Sequence, residues 1–274
     1  MRNYLSRFFL ALGIGIAITA VGFTFWLRDR YVVPILTYHH IGDYPNKSLM
    51  LNTVSTKAFD HQMNFLQRHG YQFISFDSLV DGMKKGYTFA RNTVVITFDD
   101  GYEDNYTNAY PILKKYHIPA MVFLVSDRIG DPGFLTWDQV KEMEKSDFLA
   151  GAHSRHHPYL PEISLDKAQE EILGSKKVIE QNLGHSIEFF AYPSGGFSEA
   201  LKDVVRDSGF KAAATTNRGK GRLNQNLFAL KRIRMNIGDD RYSGMILWAK
   251  LSGYYNFFRA HKGSGGMHKC DLLK

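Results

Sequence analysis

Only one of the 274 residues is cysteine, Cys270. An intramolecular disulfide framework is therefore impossible, and thiolate-rich zinc or iron–sulfur sites are excluded. Proline is scarce, at 8 residues, and no block of sequence repeats. The excess of positive charge is small. Of a formal +7, residues 1–30 carry +3 (four Arg, one Asp) and the remainder, 30 basic against 26 acidic, carries +4. Nucleic-acid binders concentrate more charge than this, so no nucleic-acid partner is expected. There is no P-loop and no G-x-S-x-G elbow to present a nucleophilic serine. Apolar side chains are plentiful instead: 44% of residues are hydrophobic and 14% aromatic, enough for one large core.

From Phe8 to Leu27 the chain carries no charge. At about 1.5 Å per residue this run spans about 30 Å, the hydrocarbon thickness of a bilayer. Arg2 and Arg7 precede it, and Arg28, Asp29 and Arg30 follow. The run is expected to be one N-terminal transmembrane helix that anchors the chain through residues 8–27, with a cleaved signal segment as the competing reading. Either reading places the rest outside the cell membrane, as a single-pass protein or a secreted one. The expected organisation is an anchor or signal segment at 1–30, a folded domain at 31–259 and a disordered tail at 260–274.

Within the domain, apolar runs alternate with amphipathic ones. Strands are expected at 32–37, 71–75, 93–98, 119–125, 148–152, 187–191, 210–215 and 227–234. Helices are expected at Thr56–His69, Asp77–Lys85, 105–116, Thr136–Lys145, Ser164–Leu183 and 198–208. A last amphipathic, aromatic-rich segment at about 240–259 either covers the domain or lies on a membrane. Near-continuous apolar strands between helices indicate a parallel sheet buried on both faces. Seven or eight such units in about 220 residues indicate an α/β barrel, whose chemistry sits beyond the C-terminal ends of its strands.

Polar residues stand at four of those ends: Tyr38-His39-His40, Asp99-Asp100-Gly101, His153-Ser154-Arg155-His156-His157 and Tyr192-Pro193-Ser194-Gly195-Gly196. Taken singly, the aspartates read as a helix cap and the histidines as a solvated loop. At the mouths of parallel strands they read together as a catalytic metal site. A divalent ion divides the work of adjacent carboxylates, one ligating and one free as a base. One Asp and two His leave positions open for water. Spacing alone does not decide whether His156 or His157 joins His153. Tyr102, Tyr192 and Trp137 are candidates to stack on sugar rings.

T-F-D-D-G at 97–101 and H-S-R-H-H at 153–157 resemble two motifs of the polysaccharide deacetylase family, carbohydrate esterase family 4 with its NodB homology domain. The resemblance runs from about residue 32 to 235 and implies that family's irregular (β/α) barrel. It selects His157 over His156. It implies Asp100, His153 and His157 as metal ligands, Asp99 as general base and Ser154 as a support for the loop. Zinc is the expected ion, with Co, Ni or Fe also suited to the set.

Two departures stand out. The R-x-P-[YF] motif reads Ala191-Tyr192-Pro193-Ser194, without the Arg that orients the base. The late L-x-x-H motif has no counterpart near Leu230–Arg234, but Leu36-Thr37-Tyr38-His39 supplies one at the start. This reordering, with Tyr38–Ile41, Phe98–Tyr102 and Phe190–Gly195, is similar to the extracellular poly-N-acetylglucosamine deacetylases of biofilm systems. It implies His39 as general acid and the Ser194 backbone N–H as oxyanion donor, with Arg232 or Arg234 orienting Asp99 in place of the missing Arg. The implied activity is metal-dependent removal of N-acetyl groups from N-acetylglucosamine units of a cell-surface or exported polysaccharide. The alternatives are peptidoglycan or a lipid-linked sugar as substrate, an amidase for a non-sugar amide, or a glycan-binding protein with a vestigial site.

Overall fold

The structure is a computed structural model that describes residues 9, 12–23, 32–43, 52–216, 226–236 and 243–252. Its centre is β5 (Thr93–Asp100), whose continuous apolar run is buried on both faces. β5 pairs in parallel with β1 (Ile35–Tyr38) on one side and with β6 (Ala120–Leu124) on the other. β4 (Gln72–Phe73) pairs with the first residues of β5. Beyond β6 follow β7 (Phe148–Ala152), β8 (Phe189–Ala191) and β9 (Ala212–Thr215), all parallel. A small parallel pair, β2 (His40–Ile41) and β3 (Thr53–Val54), stands apart.

Closure comes from one short segment. β10 (Leu230–Lys231) pairs with β9, and β11 (Ile233–Arg234) pairs with β1. The two halves flank Arg232, whose N–H donates to Thr215 O, while the Met235 N–H donates to Thr37 O. With the halves counted once and β4 set aside, the nine-stranded sheet is a nearly closed ring of seven. The expected strand 227–234 is therefore shorter and broken. Its start, Leu227–Ala229, is a 3-10 turn capped by the Asn226 side chain. The break at Arg232 lets one segment change partners from β9 to β1.

Alternation along the strands sorts side chains into two layers. Ile35, Val95, Met121, Phe123, Phe189, Ala191, Ala212 and Leu230 fill the barrel, together with Phe76, Leu79 and Val80 of α2 (Phe76–Lys84), which plugs its floor. Leu36, Tyr38, Phe98, Val122, Phe190 and Tyr192 face outward to the helices. These are α1 (Thr56–Arg68), α3 (Tyr110–Tyr116), α4 (Trp137–Glu144), α5 (Leu165–Leu183) and α6 (Glu199–Asp207). Side-chain caps start several of them: Ser55 accepts from Ala58 N–H, Ser164 from Lys167 N–H and Ser198 from Leu201 N–H. Thr136 and Gln139 form a reciprocal capping box. The helix expected at 105–116 begins instead as a wider π-type turn over Asn105–Ala109. Regular α-winding starts only at Tyr110, with Pro111, which has no N–H to donate, in its first turn.

α7 (Ser243–Leu251) covers the outer layer with Leu247 and Leu251, and the Lys250 ammonium donates to Arg234 O. Among the described residues no helix is long and apolar enough to cross a membrane. Phe9 and residues 12–23 are helical and exposed; the rest of the run 8–27 lies outside the described residues, as does the expected tail 260–274.

The interior tolerates little extra volume. A Cβ on Gly151 of β7 would lie 2.6 Å from the Phe123 ring and 3.1 Å from Phe189 O. Phe123 is itself fixed edge-to-face against Phe76, with ring centroids 5.6 Å apart. Gly151→Ala is expected to cost about 1–3 kcal/mol, read as a lower urea midpoint at an unchanged denaturant slope.

Candidate active site

Asp99 shares the inward face of β5 with Val95 and Thr97, so its carboxylate points into the barrel mouth. There Arg232 meets it with two parallel bonds, Nη1 to Oδ1 at 2.7 Å and Nη2 to Oδ2 at 2.6 Å. Arg232 Nη1 also donates to Thr97 Oγ1. The Arg232 side chain is 0% exposed and that of Asp99 3%, so the pair is dry. Burial pushes the Asp99 carboxyl up, but the Arg232 guanidinium, helped by His153 and His39, overrides this and holds it well below the usual carboxylate range.

Asp100 sits one residue on, at the left-handed φ of 73°, followed by Gly101 at φ 79°. Its Oδ1 is buried without a hydrogen-bond partner. His153 Nε2 and His157 Nε2 each lie 3.5 Å from that oxygen. One ligand atom from each of Asp100, His153 and His157 falls within 4.8 Å of the others. Bonds of about 2.0–2.2 Å to one tetrahedral ion separate neighbouring ligand atoms by about 3.4 Å, so the observed spacing fits a shared cation. The donors fit as well. His153 Nδ1 lies 2.7 Å from Ala191 O, which holds the proton on Nδ1 and turns the Nε2 lone pair toward Asp100. Burial holds the His153 imidazole down to about 4, against the pull of Asp99, so it is neutral at physiological pH. Asp100 is also held low: burial raises it, and His39, His157 and His153 together outweigh burial.

His39 follows β1, beside the closing strand. Asn105 Nδ2 donates to its carbonyl at 2.7 Å, and its Nδ1 is buried without a partner. Burial lowers its proton affinity, while the charges of Asp100 and Asp99 raise it. His40 turns the other way, with Nδ1 2.7 Å from Asp104 Oδ2 and its ring stacked on Tyr102 at 3.6 Å. Asp104 Oδ1 accepts from the Ile41 N–H. Asp104 and Asn105 thus clamp the segment that carries His39. Sequence reasoning missed both, because a side chain bonded to a distant backbone group leaves no mark in residue spacing.

The structure therefore brings Asp99, Asp100, His153, His157 and Arg232 to one mouth, with His39 close enough to feel both carboxylates. Ser194 stands exposed at φ 54° in the turn Pro193–Gly195, pinned where Thr215 Oγ1 donates to Gly195 O. The expectation that Tyr192 stacks on a sugar is overturned. Tyr192 is 0% exposed, packs edge-to-face on Phe190 and donates its hydroxyl to Phe228 O. Just past the end of β8 it continues Phe190's parity and so packs in the outer core with the helices. Tyr102 is partly buried, with His40 covering its ring. Burial, and the negative charge of Asp100, push its hydroxyl well above the usual range. Trp137 packs against the outer core. His156 points away from the Asp100 cluster, between Glu171 and Asp127.

A buried charge that loses its partner costs about 3–5 kcal/mol. Arg232→Leu is expected to lose that much stability in urea at pH 7. Adding Asp99→Asn is expected to restore part of it, because the uncompensated carboxylate is then gone.

The polysaccharide deacetylase profile matches residues 86–213. The poly-beta-1,6-N-acetyl-D-glucosamine N-deacetylase of Staphylococcus aureus (strain MRSA252) is 31% identical over 215 residues, 73% of this chain and 73% of that protein. Among solved structures, the Streptococcus pyogenes deacetylase PplD, in complex with acetate, matches with a TM-score of 0.70 at 30% identity, covering 78% of this chain and 99% of that one. IcaB from Ammonifex degensii, at 22% identity and a TM-score of 0.69, covers 82% of this chain and 97% of its own, and shows the shared fold. With the two motifs gathered at one barrel mouth, these likenesses place the chain in the polysaccharide deacetylase family, the NodB-type carbohydrate esterase family 4.

Proposed function

We propose that this chain is a metal-dependent N-deacetylase that removes acetyl groups from N-acetylglucosamine units of an extracellular polysaccharide, with a β-1,6-linked polymer as the substrate. The observation that carries the reading is the orphaned Asp100 Oδ1 facing two imidazole nitrogens at 3.5 Å. Asp100, His153 and His157 would hold the ion, zinc by default. When bound it supplies positive charge that polarises the acetamide carbonyl and acidifies the attacking water. Asp99, kept ionised by Arg232, accepts the proton of that water as its oxygen bonds to the carbonyl carbon. The Ser194 backbone N–H donates to the developing oxyanion. His39 protonates the sugar nitrogen as the carbon–nitrogen bond breaks, and acetate and the free amine leave.

The substrate half of the proposal draws on the staphylococcal relative, whose name specifies poly-β-1,6-N-acetylglucosamine. The uncharged run 8–27 supports a tether at the outer face of the cell membrane.

Amine release from β-1,6-linked N-acetylglucosamine oligomers is expected to stop on chelation and to return with added zinc. Chelator-indifferent activity would sink the metal reading, and faster turnover of peptidoglycan fragments would replace the substrate. His39→Ala is expected to lower kcat by about 100- to 10,000-fold while zinc still binds. Asp99→Asn is expected to behave likewise, and full activity in either variant removes that residue from the mechanism.

A further inference from the structure

The two histidines of the cluster are held in different ways. The His153 ring is aimed by its own hydrogen bond to Ala191 O. The His157 ring has no comparable partner among the described residues, and its side chain is 36% exposed. Its position is inherited from the backbone, and that backbone is unusual. Ser154 and His157 both adopt left-handed φ, 62° and 61°, which L side chains take at a cost. Something outside the loop must hold it there.

Glu171, on the second turn of α5, reaches under the loop. Its Oε2 accepts the N–H of Arg155 and the N–H of His156, each at 3.0 Å. Its Oε1 lies 2.7 Å from His156 Nδ1. From the other side Asp127 accepts from Arg155 Nε and Nη2, and its Oδ2 lies 3.3 Å from His156 Nε2. Asp127 is in turn tied down by the Ser126 hydroxyl, and its own N–H donates to Arg155 O. Inside the loop, Ser154 Oγ accepts the His157 N–H at 2.9 Å. Arg155 and His156, the two residues between the histidines of the motif, are thus gripped by two carboxylates from two different elements.

We propose that Glu171, backed by Asp127, is a positioning residue that sets the reach of His157 toward Asp100 and thereby the affinity of the site for its cation. The proposal rests on the reading of Asp100, His153 and His157 as ligands. It assigns a task to Glu171, Asp127 and His156, none of which touches the cluster. Removing the Glu171 carboxylate frees two successive N–H groups and lets the loop relax toward ordinary backbone conformations. His157 then moves off the shared point while His153, aimed independently, stays.

The test is zinc titration of the stripped full chain against a chromogenic chelator. Glu171→Ala is expected to weaken zinc binding by about 10- to 100-fold. Glu171→Gln, which keeps an oxygen for the two N–H groups, is expected to fall between that variant and the natural protein. Glu170→Ala, at the exposed neighbour on the same helix, is expected to bind as the natural protein does. At saturating zinc, kcat of Glu171→Ala is expected to stay within a few-fold, while the zinc concentration for half activity shifts with the affinity. A folded Glu171→Ala with unchanged zinc affinity overturns the proposal, as does a loss of kcat with affinity intact. If Glu171→Ala fails to fold, unchanged affinity in Glu171→Gln overturns it equally. Asp100→Asn separates the two levels: if it binds zinc as well as the natural protein, or the natural protein binds none, the ligand reading itself fails.

Discussion

The ion pair between Arg232 and Asp99 lies at the seam where the barrel closes. Both charges are out of water, and either alone would be costly there. The guanidinium reaches the carboxylate because the last strand breaks at Arg232, with Leu230–Lys231 bonded to one neighbour and Ile233–Arg234 to another. Closing the ring and keeping Asp99 ionised are therefore one structural event. A chain that failed to seat its last strand would also leave a buried, unpaired carboxylate on its central strand.

Around that pair, two aspartates one residue apart are given opposite surroundings. Asp99 continues the inward parity of β5 and is saturated with donors. Asp100 would by parity face the helices, but its left-handed backbone ends the strand and leaves one oxygen with no donor at all. One carboxylate is neutralised by a fixed cation, and the other is left needing one. The separation arises from backbone conformation, since the side chains are identical.

Much of this was legible in the sequence. The apolar runs at 93–98, 119–125 and 148–152 read correctly as buried parallel strands because they are short, almost continuously apolar and set between amphipathic helices. The two motifs located the mouth, and the missing Arg of the third motif left Arg232 or Arg234 as its replacement, of which Arg232 bonds to Asp99. Other features depend on information that residue identity does not carry. Tyr192 looked like a sugar platform as an aromatic residue at a strand end, but a single step of parity turned it into core. The segment 227–234 looked like one strand, and a change of pairing partner halfway along cannot be read from propensity. Asp104, Asn105 and Glu171 bond to backbone groups 15 to 66 residues away, or to a ring beside them, and no spacing rule reaches that far.

The plug formed by α2 has one more effect. Phe76, Leu79 and Val80 seal the lower end of the ring among Val33, Ile35 and Val95. With that end packed, the described residues leave the site to be reached from the mouth at the C-terminal ends of the strands. In the proposed reaction, water therefore enters and acetate leaves on the same side as the sugar chain.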